Sequence, residues 1–371
     1  MGAGIDRGEA ILSLFAEAGY ARTEPAILQP VDVFIDLSGE DIRRRMFVTT
    51  DADGHEWALR PEFTIPVARA WLARGAGDPV SFSYCGPVFR LRAGEVGEFV
   101  QAGIESFGRA DREAADAEVL GLALDAVGSA GLADPDIRLG DVGLFTALLE
   151  ALSLPPARVR KLKRAYAQGH LDAETIDRLA NGHDAPGAHA GVLQALQGQD
   201  PAAARAFVED ILNIAGIASV GGRTAGEIAE RFLNQATADA DGGIPDEICA
   251  LLKRFVAVQG DPDTASAEIR ALAADARLDL ASALDSFDAR TGFMAARGVD
   301  VGAVAFSAAF GRNLDYYTGA VFEIRSRAGA DPRPVVGGGR YDRLLQTLGA
   351  SAPVPAVGCS IWLDRLPGGA A

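Results

Sequence analysis

Between Tyr84 and Gly108 the chain reads YCGPVFRLRAGEVGEFVQAGIESFG, two candidate strands joined by a short loop. In the second half Gln101, Gly103 and Glu105 alternate with Val100, Ala102 and Ile104, so a strand there puts an amide, bare backbone and a carboxylate on one face. A glycine between two polar residues weakens a strand, and close approach by a ligand or another backbone is a common reason for one. In the first half Gly86, Val88 and Arg90 share a face, which brings a guanidinium toward the same place. This is chemistry suited to holding something small and polar. An ordinary hairpin with one solvated face is the alternative that this stretch leaves open.

The elements that must position these groups follow from pattern. Asp6 to Gly19 predicts an amphipathic helix with Ile11, Leu12, Leu14 and Phe15 on its core face. Phe47–Thr50 and Glu56–Leu59 flank Asp51, Asp53 and Gly54, the composition of a hairpin turn. Arg60-Pro-Glu-Phe-Thr-Ile-Pro66 leads into an alanine-rich helix over 67–74, with proline at the helix start. Asp111 is placed to cap a helix running to about Val127, Ile137–Leu139 predicts a strand, and Val142–Leu152 a helix ended by Pro155-Pro156. From there to about Gly298 the chain reads as a helical insertion, its segments separated by Gly221-Gly222, by Asp239–Pro245 and by Gly260-Asp-Pro-Asp263. Strand character returns with Val301–Phe306 and with GRNLDYYTGAVFEI, 311–324, where Tyr317, Gly319, Val321 and Glu323 are expected on one face. Pro334–Leu345 predicts a glycine loop entering a helix, and Ala356–Leu366 a strand running into a helix.

Composition narrows the function classes. At 371 residues, with 49% hydrophobic content and a mean hydropathy of +0.10, the chain is long enough for two domains with filled cores. A net charge of −16 works against a large nucleic-acid surface, which must neutralise phosphates with clustered cations, and favours small ligands or protein partners. The densest basic run, Arg158 to Arg164, reads as a solvated helix face, with a binding patch as the alternative. Cys85, Cys249 and Cys359 form no CxxC or Cys/His cluster, so neither a disulfide framework nor a metal site is expected, and the reducing cytoplasm is the simplest compartment. Cys85 is expected as a small buried residue, with nothing near it in sequence to activate a thiolate. No run approaches the roughly 18 apolar residues of a membrane span.

RPEFTIPVAR, YCGPVFR, QAGIESFG, RNLDYYTGAVFEI, GGRYDRLL and AVGCSIWLDRL, in that order, resemble the catalytic core of class II histidyl-tRNA synthetases. The resemblance covers roughly residues 5–150 and 300–366, and its specific part is GRNLDYYTGAVFE together with GGRYD. It implies an α+β fold: a class II synthetase-like, mainly antiparallel sheet flanked by helices, discontinuous over 1–150 and 300–371, with a helical insertion at 151–299. It also implies a dimer built partly on the N-terminal segments. By similarity Glu62, Thr64 and Gln101 would receive the α-amino group of histidine, Arg90 and Arg312 its carboxylate, and Glu105, Tyr317 and Tyr341 would surround the imidazole. Taken singly, the arginines read as surface or ion-paired and the tyrosines as core-edge residues. Together they supply what a free amino acid needs: acceptors for an ammonium, guanidinium for a carboxylate, and an aromatic wall.

Three departures speak against synthetase activity. The loop 91–100, LRAGEVGEFV, is shorter than the synthetase pattern, lacks its Glu-Arg-Pro continuation and a later arginine used to hold ATP, and offers Glu95 and Glu98, which would repel a triphosphate. Trp362 stands where the family has a glycine beside the nucleotide, three residues before a retained Arg365. The sequence is also expected to lack the anticodon-binding domain. A retained histidine pocket with a degraded nucleotide site resembles the regulatory subunits of short-form ATP phosphoribosyltransferase. That resemblance implies a non-catalytic chain without cofactor or metal that assembles, as a homodimer within a hetero-oligomer, with the catalytic subunit of the first step of histidine biosynthesis. The catalytic subunit would depend on it for activity and for feedback inhibition by histidine. A truncated or divergent histidine-tRNA ligase, and a scaffold with a vestigial pocket, are the alternatives.

Overall fold

The computed structural model describes residues 2–35, 44–75, 77–180, 244–312, 314, 316–327 and 331–368, with positions 206, 210, 219–220 and 223–224. The breaks expected at Gly221-Gly222 and at 239–243 lie outside the described residues.

The chain divides into two compact units. The larger comprises residues 1–151, 166–169 and 257–371. It is built on a nine-stranded sheet in the order β1 (Ala21–Arg22), β5 (Val80–Phe89), β6 (Glu98–Phe107), β14 (Ala356–Trp362), β13 (Val336–Arg340), β12 (Ala320–Ser326), β7 (Pro135–Asp141), β11 (Ala305–Ser307), β10 (Gln259–Gly260). The stretch from β5 to β7 is antiparallel throughout, and parallel pairing enters only where β1 joins β5 and β11 joins β7. A separate three-stranded sheet orders β2 (Leu28–Pro30), β4 (Glu56–Leu59), β3 (Val48–Thr50), so the hairpin expected around Asp51–Gly54 forms. The N-terminal helix, Gly2–Glu17, buries Ile11, Leu12 and Phe15 as its 3.6-residue period requires.

The smaller unit, residues 152–165 and 170–256, holds the helices Ala173–Ala180 and Asp246–Val256, most of Pro156–Ala167, and the two-residue strands β8 (Ser219–Val220) and β9 (Arg223–Thr224). Leu162, Ile176, Leu252 and Phe255 are buried. The basic run is not simply a solvated face, because Arg158 is buried and donates to the Leu179 carbonyl at 3.0 Å.

Four expectations shift. The stretch 257–299, placed in the insertion by its composition, belongs to the larger unit. Its helix Ala281–Ala296 carries Arg290, which donates to Asp116 at 2.8 Å and to Asp141 at 2.7 Å. Val301–Ala303 is a 3-10 turn and the strand starts only at Ala305. Strand β12 starts at Ala320, so Tyr317 and Gly319 lie in the preceding loop and do not share a strand face with Val321 and Glu323. Gly337-Gly338-Gly339 is no loop but the middle of β13, buried between β12 and β14. Three consecutive residues without Cβ show no alternation, so neighbouring side chains, and not the segment's own, decide its conformation.

Candidate functional site

Opposed residues of an antiparallel ladder share a face. The register therefore places Phe82, Tyr84 and Gly86 of β5 beside Glu105, Gly103 and Gln101 of β6. Next come Gly358, Ser360 and Trp362 of β14, then Gly339 and Gly337 of β13, then Val321 and Glu323 of β12. Glycines clear much of this face, and what occupies the space differs from one to the next. A Cβ at Gly103 would overlap the Tyr84 phenol and the Cys359 carbonyl, one at Gly337 the Arg312 guanidinium, and one at Gly86 would approach Arg60 Nη2 to 2.9 Å. The expected ligand approach at Gly103 is thus taken by a tyrosine ring, and the open space lies further along the sheet.

That space is a cavity of about 230 Å³, below the ~300–1,000 Å³ of sites for drug-sized ligands. Of the expected residues, Glu62, Thr64, Arg90, Gln101, Arg312, Tyr317, Tyr341 and Trp362 line it. Glu105, Glu95, Glu98 and Arg365 do not.

Glu62 reaches the wall because its helix starts earlier than expected. The helix runs Thr64–Ala73, and the Glu62 carboxylate accepts from the Thr64 and Ile65 amides at 2.7 and 2.9 Å, satisfying donors that a first turn leaves free. Pro66, inside that turn, brings no N–H that needs a partner. Burial raises the Glu62 pKa above the usual carboxylate value, against those amides and the Arg90 charge.

Glu105 sits behind the wall. It is 1% exposed and accepts from Thr64 Oγ1 at 2.8 Å, from Tyr84 OH at 3.2 Å and from the Tyr341 hydroxyl. Burial pushes its carboxyl up to about 8. It therefore acts on the cavity through Thr64 and Tyr341, whose hydroxyls it engages.

Arg90 donates from Nε to the Pro61 carbonyl at 2.6 Å, and burial lowers its pKa to about 10. Arg312 donates to the Phe322 carbonyl at 3.2 Å and lies 3.8 Å from Glu323, over the backbone of Gly337. The aromatic wall has three rings: Tyr316 and Tyr341 are 5.6 Å apart edge to face, Tyr317 and Tyr341 6.4 Å, and Tyr316 and Tyr317 5.0 Å. Burial raises the Tyr317 hydroxyl to about 12 and those of Tyr316 and Tyr341 well above their ordinary value, so all three remain protonated donors.

Sequence reasoning missed Tyr316, Glu323, Ser360 and Arg45, which also line the cavity. Ser360 was within reach, since it lies two residues before Trp362 on one strand. Tyr316 was hidden by reading its segment as a strand, where neighbours alternate; in a turn both tyrosines face inward.

The wall at Gln101 is unfinished. Its side chain is 0% exposed, yet neither Oε1 nor Nε2 has a hydrogen-bond partner among the described residues. A buried amide left unmet costs about 1–3 kcal/mol, so such groups are normally satisfied.

The chain as a whole is similar to known proteins. The histidyl-tRNA synthetase family model matches residues 7–218 and 206–366. The ATP phosphoribosyltransferase regulatory subunit of Brucella canis is 41% identical over 345 residues, covering 92% of this chain and 91% of that one, and the Brucella ovis protein of the same name matches equally. The chain belongs to the ATP phosphoribosyltransferase regulatory subunit family. Among solved structures, a Bacillus halodurans ATP phosphoribosyltransferase regulatory subunit/histidyl-tRNA synthetase shares the fold with a TM-score of 0.66 at 22% identity, over 98% of this chain and 80% of that one. A histidine-tRNA ligase subunit of Alicyclobacillus acidocaldarius gives 0.56 at 26% identity, over 98% and 92%.

In this member of the regulatory subunit family, the residues expected to mark a degraded nucleotide site lie at one end of the cavity and beyond it. Glu95 is not a bare carboxylate: it accepts from Arg92 at 2.9 Å and from Arg333 at 2.7 Å, so its expected repulsion of phosphate is largely compensated. Glu98 is exposed at the start of β6. The Arg365 guanidinium lies 4.6 Å from the centre of the Trp362 ring and donates to the Pro334 carbonyl at 2.7 Å. The three cysteines are free. Cys85 is half-buried rather than fully buried, and burial pushes its thiol up to about 11, away from thiolate chemistry. Among the described residues no helix is long and apolar enough to cross a membrane.

Proposed function

We propose that this chain is a non-catalytic, histidine-binding regulatory subunit that works with the short-form catalytic subunit of ATP phosphoribosyltransferase in the cytoplasm. The observation that carries the reading is Gln101, buried on the cavity wall with neither end of its amide met among the described residues. An α-ammonium supplies donors for Gln101 Oε1 and for the Glu62 oxygens, and an α-carboxylate supplies acceptors for Arg90 and Arg312. The tyrosine wall suits an imidazole, and the small volume suits a single amino acid. The name of the Brucella relatives supports a role beside a catalytic subunit.

Against adenylation stand the Trp362 indole on the cavity wall and the engagement of Arg92 and Arg333 by the carboxylates Glu95, Asp364 and Asp331. Histidine bound here regulates the partner only through its difference in affinity between two states of the complex, typically ~1–3 kcal/mol. The assembly is proposed as a homodimer of this chain within a hetero-oligomer.

Calorimetry on the full chain, followed by assay of the catalytic subunit with and without this chain and histidine, tests the reading. Histidine binding, no ATP binding, and a histidine-dependent loss of partner activity are expected. Histidine-dependent pyrophosphate exchange from ATP would overturn it.

A further inference from the structure

Trp362 was expected only as bulk filling a nucleotide space, but its polar atom tells more. The residue is 6% exposed, lines the cavity, and its Nε1–H has no acceptor among the described residues. Buried tryptophan N–H groups usually have a partner. Trp362 stands directly opposite Gln101 in the β6–β14 ladder, so the two Cβ atoms leave the same face about 4.5–5.5 Å apart. Two neighbouring buried side chains thus leave three polar atoms unmet at one end of the cavity: the indole N–H and both ends of the amide. The Arg365 guanidinium stacked on the ring, itself tied to the Pro334 carbonyl, holds the indole in place.

We propose that Trp362 is a ligand-binding and specificity-determining residue. Its indole N–H donates to the free α-carboxylate of the bound amino acid beside Arg90, while Gln101 Oε1 and Glu62 take the ammonium. This rests on the reading that the cavity binds histidine. An indole N–H can only donate, and a carboxylate accepts it with the strength of a charged acceptor, so the pairing is strongest with a free acid and weakens when that group is reduced to an alcohol, which accepts as a neutral oxygen. Sites built to bond a polar group discriminate strongly against analogues lacking it, because their own buried groups are then left unpaired. The tryptophan then does two things at once: it occupies space where a nucleotide would lie, and it makes the site selective for the unactivated amino acid.

The test is calorimetric titration of the full chain and of Trp362→Phe, which keeps an aromatic ring and removes the N–H, with L-histidine and L-histidinol. The chain is expected to prefer histidine. Trp362→Phe is expected to weaken histidine about tenfold or more, as for loss of a hydrogen bond to a charged group, and to weaken histidinol several-fold less, as for loss of a neutral one. Equal histidine affinity in the two proteins overturns the proposal and leaves the histidine reading standing, as does an equal loss for both ligands, which marks a packing role. Failure of the unmodified chain to bind histidine overturns both.

A second measurement does not depend on how the variant folds. With three tryptophans in the chain, Trp57→Phe and Trp71→Phe assign the indole signals in a ¹⁵N spectrum by elimination. The Trp362 N–H signal should move downfield with histidine and much less with histidinol. A signal unmoved by saturating histidine overturns the proposal.

Discussion

Replacing Glu105 with glutamine should change how stability depends on pH, in a direction the structure dictates. The Glu105 carboxyl is 1% exposed, held by three hydroxyls and, among the described residues, by no arginine or lysine ion pair. Burial, the largest influence, raises its pKa from 4.5 to about 8, against the stabilising hydroxyl bonds. Between those two values the folded chain holds a proton that the unfolded chain has lost. Stability from this group is therefore complete below the unfolded value and is lost as pH rises through the folded one. The slope is about 1.4 kcal/mol per pH unit, or about 5 kcal/mol across the interval. Glu105→Gln keeps the shape and deletes the titration, and the three hydroxyls can turn to meet the amide. Urea unfolding of both proteins at pH 5, 6, 7 and 8 isolates the effect, because every other titrating group contributes to both. The stability of the unmodified chain, measured relative to the variant, should fall steadily over that range. Parallel profiles would refute the argument and would mean that the folded site holds Glu105 ionised at neutral pH.

Other outcomes follow from single contacts. Arg290→Ala removes the cation that joins Asp116 and Asp141 in the interior of the larger unit and should cost ~3–5 kcal/mol in urea unfolding. Lysine there should recover little, since one ammonium does not reproduce a guanidinium fork bridging two carboxylates. Arg90→Ala should weaken histidine binding by ~2–5 kcal/mol in calorimetry, the range for removing one partner of a buried charge pair. Gly103→Ala should destabilise the fold by ~1–3 kcal/mol in thermal or urea unfolding, because its Cβ would overlap the Tyr84 phenol and the Cys359 carbonyl; a neutral result would show that β14 or Tyr84 can yield.

Much of the site was legible where chemistry follows strand period. Alternation along Glu98–Phe107 is enough to place Gln101 and Glu105 on one face, and the register to Gly358, Ser360 and Trp362 extends that face across β14. What alternation does not carry is depth. Gln101 and Glu105 are equivalent in the pattern, yet one lines the cavity unmet and the other is enclosed by Thr64, Tyr84 and Tyr341. Glu95 likewise looked like a naked carboxylate, because Arg333, which neutralises it, is far away in the chain.

By itself the amino-acid sequence determined the family, the fold class, the β5–β6 hairpin and half of the residues around the cavity, because local periodicity and ordered motifs encode these directly. Tertiary structure alone decided that Gly337–Gly339 is a buried strand and that helix Ala281–Ala296 belongs with the sheet. It also decided that Tyr316 joins the wall and that the Trp362 N–H is left without a partner among the described residues. The physical reason is common to all four. A segment without side chains, an amphipathic helix, a turn residue and a hydrogen bond each take their meaning from a neighbour that the chain supplies only after it has folded.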